Sequence, residues 1–358
     1  MSFQPPRRHT AAMGESTNGR GTDTAELAAA LAGDESVFTR LAERHRRELN
    51  VHCYRMLASF NDAEDMVQET LLRAWRRRET FQGRSSLRAW LYGIATNACL
   101  DFLAEHPHRA LVRDGNAEPP PPPESPPDVP WLQPYPDRML DEPAAPAAAA
   151  PDATVAARET ISIAFMVAMQ CLPAKQRAAL ILSDVLDWSA KEIAALLELS
   201  VASVNSALQR ARATLEKQKP DLRPESRPDL DPDEQQRTLL ERYVAATERG
   251  DAAALAALLR EDVRFSMPPE PATYVGRDTV VDSWVQGGFG SAWFGDFRCR
   301  VTRANGVPAV ACYLRKPGTS KFRAMALDVL QIEDGVIKEI TTFPLGPMVR
   351  AFDLPPEL

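Results

Sequence analysis

Proline divides this chain. The 30 prolines fall in clusters, and clustered proline is incompatible with a helix interior or a central strand, because each ring fixes φ and removes a backbone N–H. Residues 119–123 are a polyproline run and 144–150 are rich in Ala and Pro; such sequence stays extended and unpacked. Residues 220–234 hold four more prolines among many acids. These strips separate three stretches long enough to bury a core, in line with two or three domains for 358 residues.

The first stretch follows a polar tail, residues 1–23, that lacks periodicity and reads as disordered. From residue 24 to about 103 apolar side chains recur at helical spacing: Leu27, Leu31, Phe38, Leu41, Leu49, Met56, Leu57, then Val67, Leu71 and Trp75. Thr22, Asp23, Thr24, Asn61 and Asp62 are candidate N-caps. A loop at 81–86 precedes a helix carrying Leu87, Trp90, Leu91, Ile94 and Ala98, with Ser85 or Ser86 as its cap. Within the linker, Val129-Pro130-Trp131-Leu132-Gln133-Pro134-Tyr135 sets two aromatics in a proline-rich strip. It reads either as a docking segment or as a local patch folding back on one domain.

Helical periodicity resumes over 152–215, and 188–215 has the form of a helix-turn-helix. Ser189 caps the first helix, Glu198-Leu199-Ser200 makes the turn, and Leu196, Leu199, Val204 and Leu208 lock the pair. The exposed side of the second helix carries Ser203, Asn205, Ser206, Gln209, Arg210 and Arg212, types that suit base edges and phosphates in a major groove.

Composition bounds the rest. The five cysteines, Cys53, Cys99, Cys171, Cys299 and Cys312, show no metal-ligand spacing, so neither a zinc site nor a disulfide framework is expected and a reducing compartment fits. No apolar run reaches membrane-spanning length and no secretory leader is evident; the expectation is a cytoplasmic protein without membrane contact. The net charge of −7 argues against a general nucleic-acid coat, not against a local DNA-reading surface.

Three segments in order carry a family resemblance. They are Asn61-Asp62-Ala63-Glu64-Asp65-Met66-Val67-Gln68-Glu69, then Trp90-Leu91-Tyr92-Gly93-Ile94-Ala95-Thr96-Asn97, then Leu172-Pro173-Ala174-Lys175-Gln176-Arg177 running into the helix-turn-helix. Together they resemble the two conserved domains of bacterial RNA polymerase sigma factors of the extracytoplasmic-function type. The resemblance implies that Asp62, Asp65, Gln68, Glu69 and Arg73 grip core polymerase. Phe81, Gln82, Arg84, Ser85, Ser86, Arg88, Asn97 and Asp101 would melt and hold the minus-ten element. Lys175, Arg177, Ser203, Asn205, Ser206, Gln209, Arg210 and Arg212 would bind the minus-thirty-five element. Trp90 reads as a core residue first and a DNA contact second.

The third stretch has two helical segments, 235–249 and 251–260, and a helix at 276–286. Its strand-like runs are 263–267, 297–302, 309–314, 322–332 and 336–343, with Asn305-Gly306 and Asp334-Gly335 as hairpin turns. Tyr243-Val244-Ala245-Ala246-Thr247-Glu248-Arg249-Gly250-Asp251, Val263-Arg264-Phe265-Ser266-Met267-Pro268-Pro269 and Tyr274-Val275-Gly276-Arg277 resemble the SnoaL-like cone fold. Enzymes of that fold use a pocket Asp or an Asp–Arg–Asp set. Here Asp282 falls on a helix face and Arg323 and Asp328 have opposite strand parity, so no catalytic residue, metal or cofactor is expected.

The implied fold is multidomain. Two all-α sigma domains (24–104 and 152–219), joined by the linker 105–151, precede a second linker, 220–234, and an α+β SnoaL-like domain, 235–358. The implied function is a non-enzymatic sigma factor whose partners are core RNA polymerase and promoter DNA. Its own C-terminal domain would modulate it in place of a separate anti-sigma protein, with room there for a small-molecule ligand. A ligand-responsive helix-turn-helix regulator is the alternative, and a SnoaL-class enzyme a further one. The first domain discriminates, since a simple regulator has no use for a polymerase-gripping helix or a melting loop.

Overall fold

The computed structural model describes residues 25–83, 85–109, 111, 126–140, 161–218 and 234–358. The first unit is a helical bundle: α1 (25–31), α2 (Glu35–Glu43), α3 (Arg46–Leu57), α4 (Phe60–Arg76) and α5 (Leu87–Glu105). Side-chain caps set the helix starts by satisfying amide N–H groups that have no intrahelical partner. The Asp34 carboxylate accepts from Val37 N at 3.1 Å, and the Ser86 hydroxyl from Ala89 N at 3.1 Å. At α4 the cap is Ser59, accepting from Asp62 N at 3.3 Å, so that helix starts ahead of the expected Asn61 and Asp62. The candidates Thr22, Asp23 and Thr24 lie outside the described residues.

Helix α3 is the axis of this unit, buried continuously from Leu49 to Leu57. His52 is wholly buried within it. The Thr96 hydroxyl donates to Tyr92 O at 2.8 Å, so at 2.9 Å it accepts from His52 Nε2–H. Among the described residues His52 Nδ1 has no hydrogen-bond partner. A proton there would place a charge in the core, and burial, with the Arg55 charge second, pushes the His52 pKa down to about 3.

The second helical unit is α6 (Ile163–Gln170), α7 (Ala174–Asp184), α8 (Ala190–Leu197) and α9 (Val201–Gln218). Ser189 and Glu192 form a reciprocal capping box at α8. Glu198, in the left-handed region at φ 54°, closes that helix.

The third unit opens with α10 (Glu234–Arg249) and α11 (Ala252–Ala256), and carries α12 (Arg277–Gln286). Its strands are β1 (Leu259–Ser266), β2 (Thr273–Val275), β3 (Asp296–Ala304), β4 (Val307–Arg315), β5 (Arg323–Glu333) and β6 (Val336–Pro344). They form one sheet in the order β2-β1-β6-β5-β4-β3, with β1 parallel to β6 and the other pairs antiparallel. Both expected turns are present, with positive φ at Asn305 and Gly306 and at Asp334 and Gly335. Strand β1 starts earlier than expected, inside the run assigned to helix, and β2 has no counterpart in the expected strands.

The two faces of the sheet belong to different cores. Phe265, Phe297, Cys299, Val310, Cys312, Leu330 and Ile340 pack with Leu239 and Tyr243 of α10. Ala309, Ala311, Tyr313, Leu327, Val329 and Phe343 on the other face join the core of the helical units. Residues 126–140 are the seam: Val129, Trp131, Leu132 and Tyr135 are buried in that same core. Of the two readings of this strip, the docking segment describes it. It lies among three units rather than on one.

Polar contacts fix the seam. Asn305 N donates to Tyr135 O at 2.9 Å, and Tyr135 N donates to Asn305 Oδ1 at 2.8 Å. Asn305 Nδ2 donates to Tyr54 Oη at 2.8 Å and to Ile161 O at 2.6 Å. Tyr54 Oη donates to Gln133 O at 2.8 Å, and Gly306 N donates to Asp137 Oδ1 at 2.9 Å. Asn305 and Tyr54 are both buried.

His52 generates a prediction about acid stability. Its folded pKa lies below its unfolded value, so the unfolded chain binds the extra proton between about pH 6.5 and pH 3. Stability is therefore full above pH 6.5 and falls as the pH drops, by up to about 1.4 kcal/mol per pH unit from this group. In urea titrations across that window, His52→Gln should flatten the fall relative to wild type. Superimposable pH profiles would show that His52 is not the proton acceptor.

Candidate promoter and polymerase interfaces

The outer side of α4 is built by an apolar stripe that holds the helix to the bundle. Ala63, Val67, Thr70 and Ala74 are buried, which turns Asp65, Gln68, Leu72 and Arg76 outward. Asp65 and Gln68 are exposed as expected. Asp62 is half-buried and paired with Arg109 at 3.2 Å. Glu69 and Arg73 pair at 2.6 Å, and Arg73 reaches across to Asp101 of α5 at 2.5 Å. Arg73 is thereby engaged at both ends, its pKa raised by Glu69 first and then Asp101. Leu72 was not among the expected contacts. It is 50% exposed in the middle of the polar stripe, beside a groove of about 350 Å³ walled by Phe38, Leu71 and Trp75.

The residues expected at the minus-ten element gather at the start and along one side of α5. Gln82 and Ser85 are exposed, and Arg84 lies outside the described residues. Phe81 packs edge-on against the half-buried Trp90 with ring centroids 5.4 Å apart, so both serve packing here. The Ser86 hydroxyl is occupied by its cap. Arg88 is bound to Glu48 at 2.6 Å and lies over the Tyr92 ring at 4.9 Å. Asn97 and Asp101, one turn apart, are exposed. Gly93 is one turn before Asn97, and a Cβ there would lie 3.3 Å from Leu196 Cδ1 of α8. Helix α8 thus rests on the side of α5 that carries Asn97.

In the second unit Ile193, Leu197, Val204 and Leu208 form the buried lock, while Leu196 and Leu199 are only partly buried. The difference has a physical reason: Leu196 packs outward onto α5. Ser203, Asn205, Ser206, Gln209, Arg210 and Lys175 are exposed. The Ser203 hydroxyl is held 2.8 Å from that of Ser200. Arg212 is exposed but tied back to Asp184 at 2.5 Å and Ser183 at 3.4 Å. Arg177 departs from expectation. It is wholly buried, donating to Met56 O of α3, to Gln170 Oε1 at 2.7 Å and to Leu172 O at 3.1 Å. In this arrangement its guanidinium joins the two helical units and does not face DNA. Nothing in the local sequence could have placed it, because its cross-unit acceptor lies 121 positions away.

In the sheet unit Asp328 is buried, accepting from Tyr243 Oη at 3.0 Å, Thr342 Oγ1 at 2.6 Å and Cys312 Sγ at 3.3 Å. Burial pushes its pKa up against the lowering effect of these donors. Asp282 is exposed on α12, and Arg323 is exposed and paired with Glu357 at 3.3 Å. The three do not converge on one site. Among the described residues no cluster of His, Cys, Asp and Glu could hold a metal ion, and no helix is long and apolar enough to cross a membrane.

Known proteins match this architecture unit by unit. Residues 41–107 match Sigma-70 region 2, 162–215 match Sigma-70 region 4, and 240–340 match the SnoaL-like domain. The ECF RNA polymerase sigma factor SigG of Mycobacterium tuberculosis is 39% identical over 330 residues, spanning 91% of this chain and 85% of its own. The ECF RNA polymerase sigma factor SigJ of the same organism is 28% identical over 82% of this chain and 88% of its own. The crystal structure of SigJ shares the fold, with a TM-score of 0.50 over 88% of this chain and 99% of its own at 21% identity. The chain is a member of the extracytoplasmic-function RNA polymerase sigma factors, with a SnoaL-like domain following its two sigma regions.

Proposed function

We propose that this sigma factor is a non-enzymatic cytoplasmic subunit that binds core RNA polymerase through the exposed side of α4. It reads the minus-ten element with the 81–101 region and the minus-thirty-five element with α9, and helps to open the duplex. The SnoaL-like domain holds the two sigma regions closed. The observation that carries the closure is Asn305, whose side chain bonds region 2 at Tyr54, the seam at Tyr135 and the approach to α6 at Ile161. Closure matters for promoter binding because Leu196 of region 4 rests beside Gly93, on the Asn97 side of region 2. That contact must part before both regions can lie along one duplex. A small molecule would regulate the factor only by binding the closed and open forms unequally. A groove of about 510 Å³ between the seam (Pro136, Asp137) and the sheet unit (Leu240, Val301, Arg303, Phe352) would change shape on opening and so meets that condition.

The core-binding assignment predicts that Asp65→Arg weakens association with core polymerase. An exposed substitution of this kind shifts stability by no more than about 0.5 kcal/mol, so the fold should be kept. Undiminished co-purification of core with the folded variant would remove α4 from the interface.

Closure predicts a gain of promoter output on release. Asn305→Gly preserves the positive-φ turn while deleting side-chain bonds worth about 0.5–1.5 kcal/mol each. With three such bonds lost, the closed-to-open ratio should fall by about tenfold or more. Run-off transcription with core polymerase should rise for Asn305→Gly and for a chain truncated after Gln218. Equal output from wild type, the variant and the truncated chain across polymerase concentrations would sink the regulatory role.

A further inference from the structure

The outward side of α9 holds one residue that neither packing nor helix propensity explains. Val204, Ala207, Leu208 and Ala211 are buried. Ala202, Ser203, Asn205, Ser206, Gln209 and Arg210 are exposed, and all but Ala202 are polar. Val201 is the exception, 44% exposed at the first position of the helix. A β-branched side chain loses rotamer freedom in a helix and gains nothing from water. Its place in the fold is nevertheless well fixed. Glu198 turns the chain at φ 54°, and the Ser200 hydroxyl caps α9 by accepting from Ser203 N at 3.0 Å.

We propose that Val201 contacts the 5-methyl group of a thymine in the upstream promoter element and so contributes to promoter choice. This rests on α9 being the reader of that element. The methyl group of thymine is the apolar feature of a major groove otherwise lined by donors and acceptors. Residues at the N-terminal end of a recognition helix reach the base edges. Asn205 lies one turn along on the same edge, at the i, i+4 spacing. Asn pairs with adenine through N6 and N7. One turn advances about 5.4 Å along the helix, against about 3.4 Å per base pair. Val201 and Asn205 therefore address base pairs one or two steps apart. Arg212, which shares this edge, is drawn off by Asp184, leaving the short side chains to meet the groove.

The test uses full-length protein assembled with core polymerase. Selection from a library randomised over the upstream element supplies a bound sequence. Each thymine in it is then replaced singly by deoxyuridine, which lacks only the methyl group. For wild type, one replacement should weaken promoter binding about three- to tenfold, the loss expected for one buried methyl. In Val201→Ser that same replacement should have no further effect, and Val201→Ile should restore it. The slope of binding against salt should be unchanged, because no phosphate contact is altered. Equal deoxyuridine penalties for wild type and Val201→Ser would overturn the proposal. So would loss of core association by Val201→Ser without DNA, which would make the site a protein contact. Gln209→Ala separates this failure from that of the reader assignment. If it weakens promoter binding while Val201→Ser is silent, only the thymine contact fails; if it too is silent, α9 is not the reader.

Discussion

The C-terminal end of α3 is where this molecule is joined. A helix leaves its last carbonyls without intrahelical partners, and buried carbonyls must find donors elsewhere. Here the donors come from distant parts of the chain. Met56 O accepts from Arg177 of region 4, and Ala58 O accepts from Gln133 N of the seam at 3.0 Å. Beside them Tyr54 Oη accepts from Asn305 of the SnoaL-like domain. Gln133 closes the junction, its Oε1 accepting from Asn61 N at 2.9 Å and Ser59 Oγ at 3.2 Å. A single helix terminus is thus contacted by region 4, by the seam and by the SnoaL-like domain.

Such a junction specifies geometry more than it adds stability. Each buried hydrogen bond contributes little net, but leaving one partner unpaired costs about 1–3 kcal/mol. Misaligned units would strand several groups at once, so the closed form is either assembled with its partners in place or abandoned. The surrounding surfaces allow close approach. Ala304, Ala309 and Ala311 are the small residues on the sheet face turned toward the sigma regions. The opposite face packs on α10 in its own core, so the sheet unit keeps a core of its own when the first face is uncovered. In the opening proposed above, the polar groups of the junction would bond to water, while the apolar face of Leu327, Val329 and Phe343 would lose its cover.

Local chemistry was legible in the sequence, and contacts between units were not. The Ser189 cap, the Asn305-Gly306 turn and the buried Val204 and Leu208 each depend on neighbours within a few positions, where pattern and propensity act. Arg177 had the same local pattern as a solvated helix residue, and only the folded chain brings Met56 O to it. The proline-rich strip around Trp131 shows a related gap. Proline forbids regular structure but not burial, and two aromatics suffice to anchor an irregular segment in a core. Strand β2 spans only Thr273–Val275, too short for alternation to register. Leu72 and Val201 were missed for another reason: a helical wheel marks apolar residues as inward, and these two point out.

Arg73 links the surfaces that the polymerase and the promoter would use. It bonds Glu69 on its own helix and Asp101 on α5, so a partner that drew on Arg73 would also compete for the contact to α5. The bridge is partly exposed, and an exposed pair contributes at most about 1 kcal/mol. That weakness suits a connection that must be remade. A buried bridge would hold α5 in one position at large cost when broken. A solvated one lets Asp101 exchange Arg73 for water at little cost. By this route the proposed grip on polymerase would alter the side of α5 carrying Asn97 without any change in the bundle core beneath it.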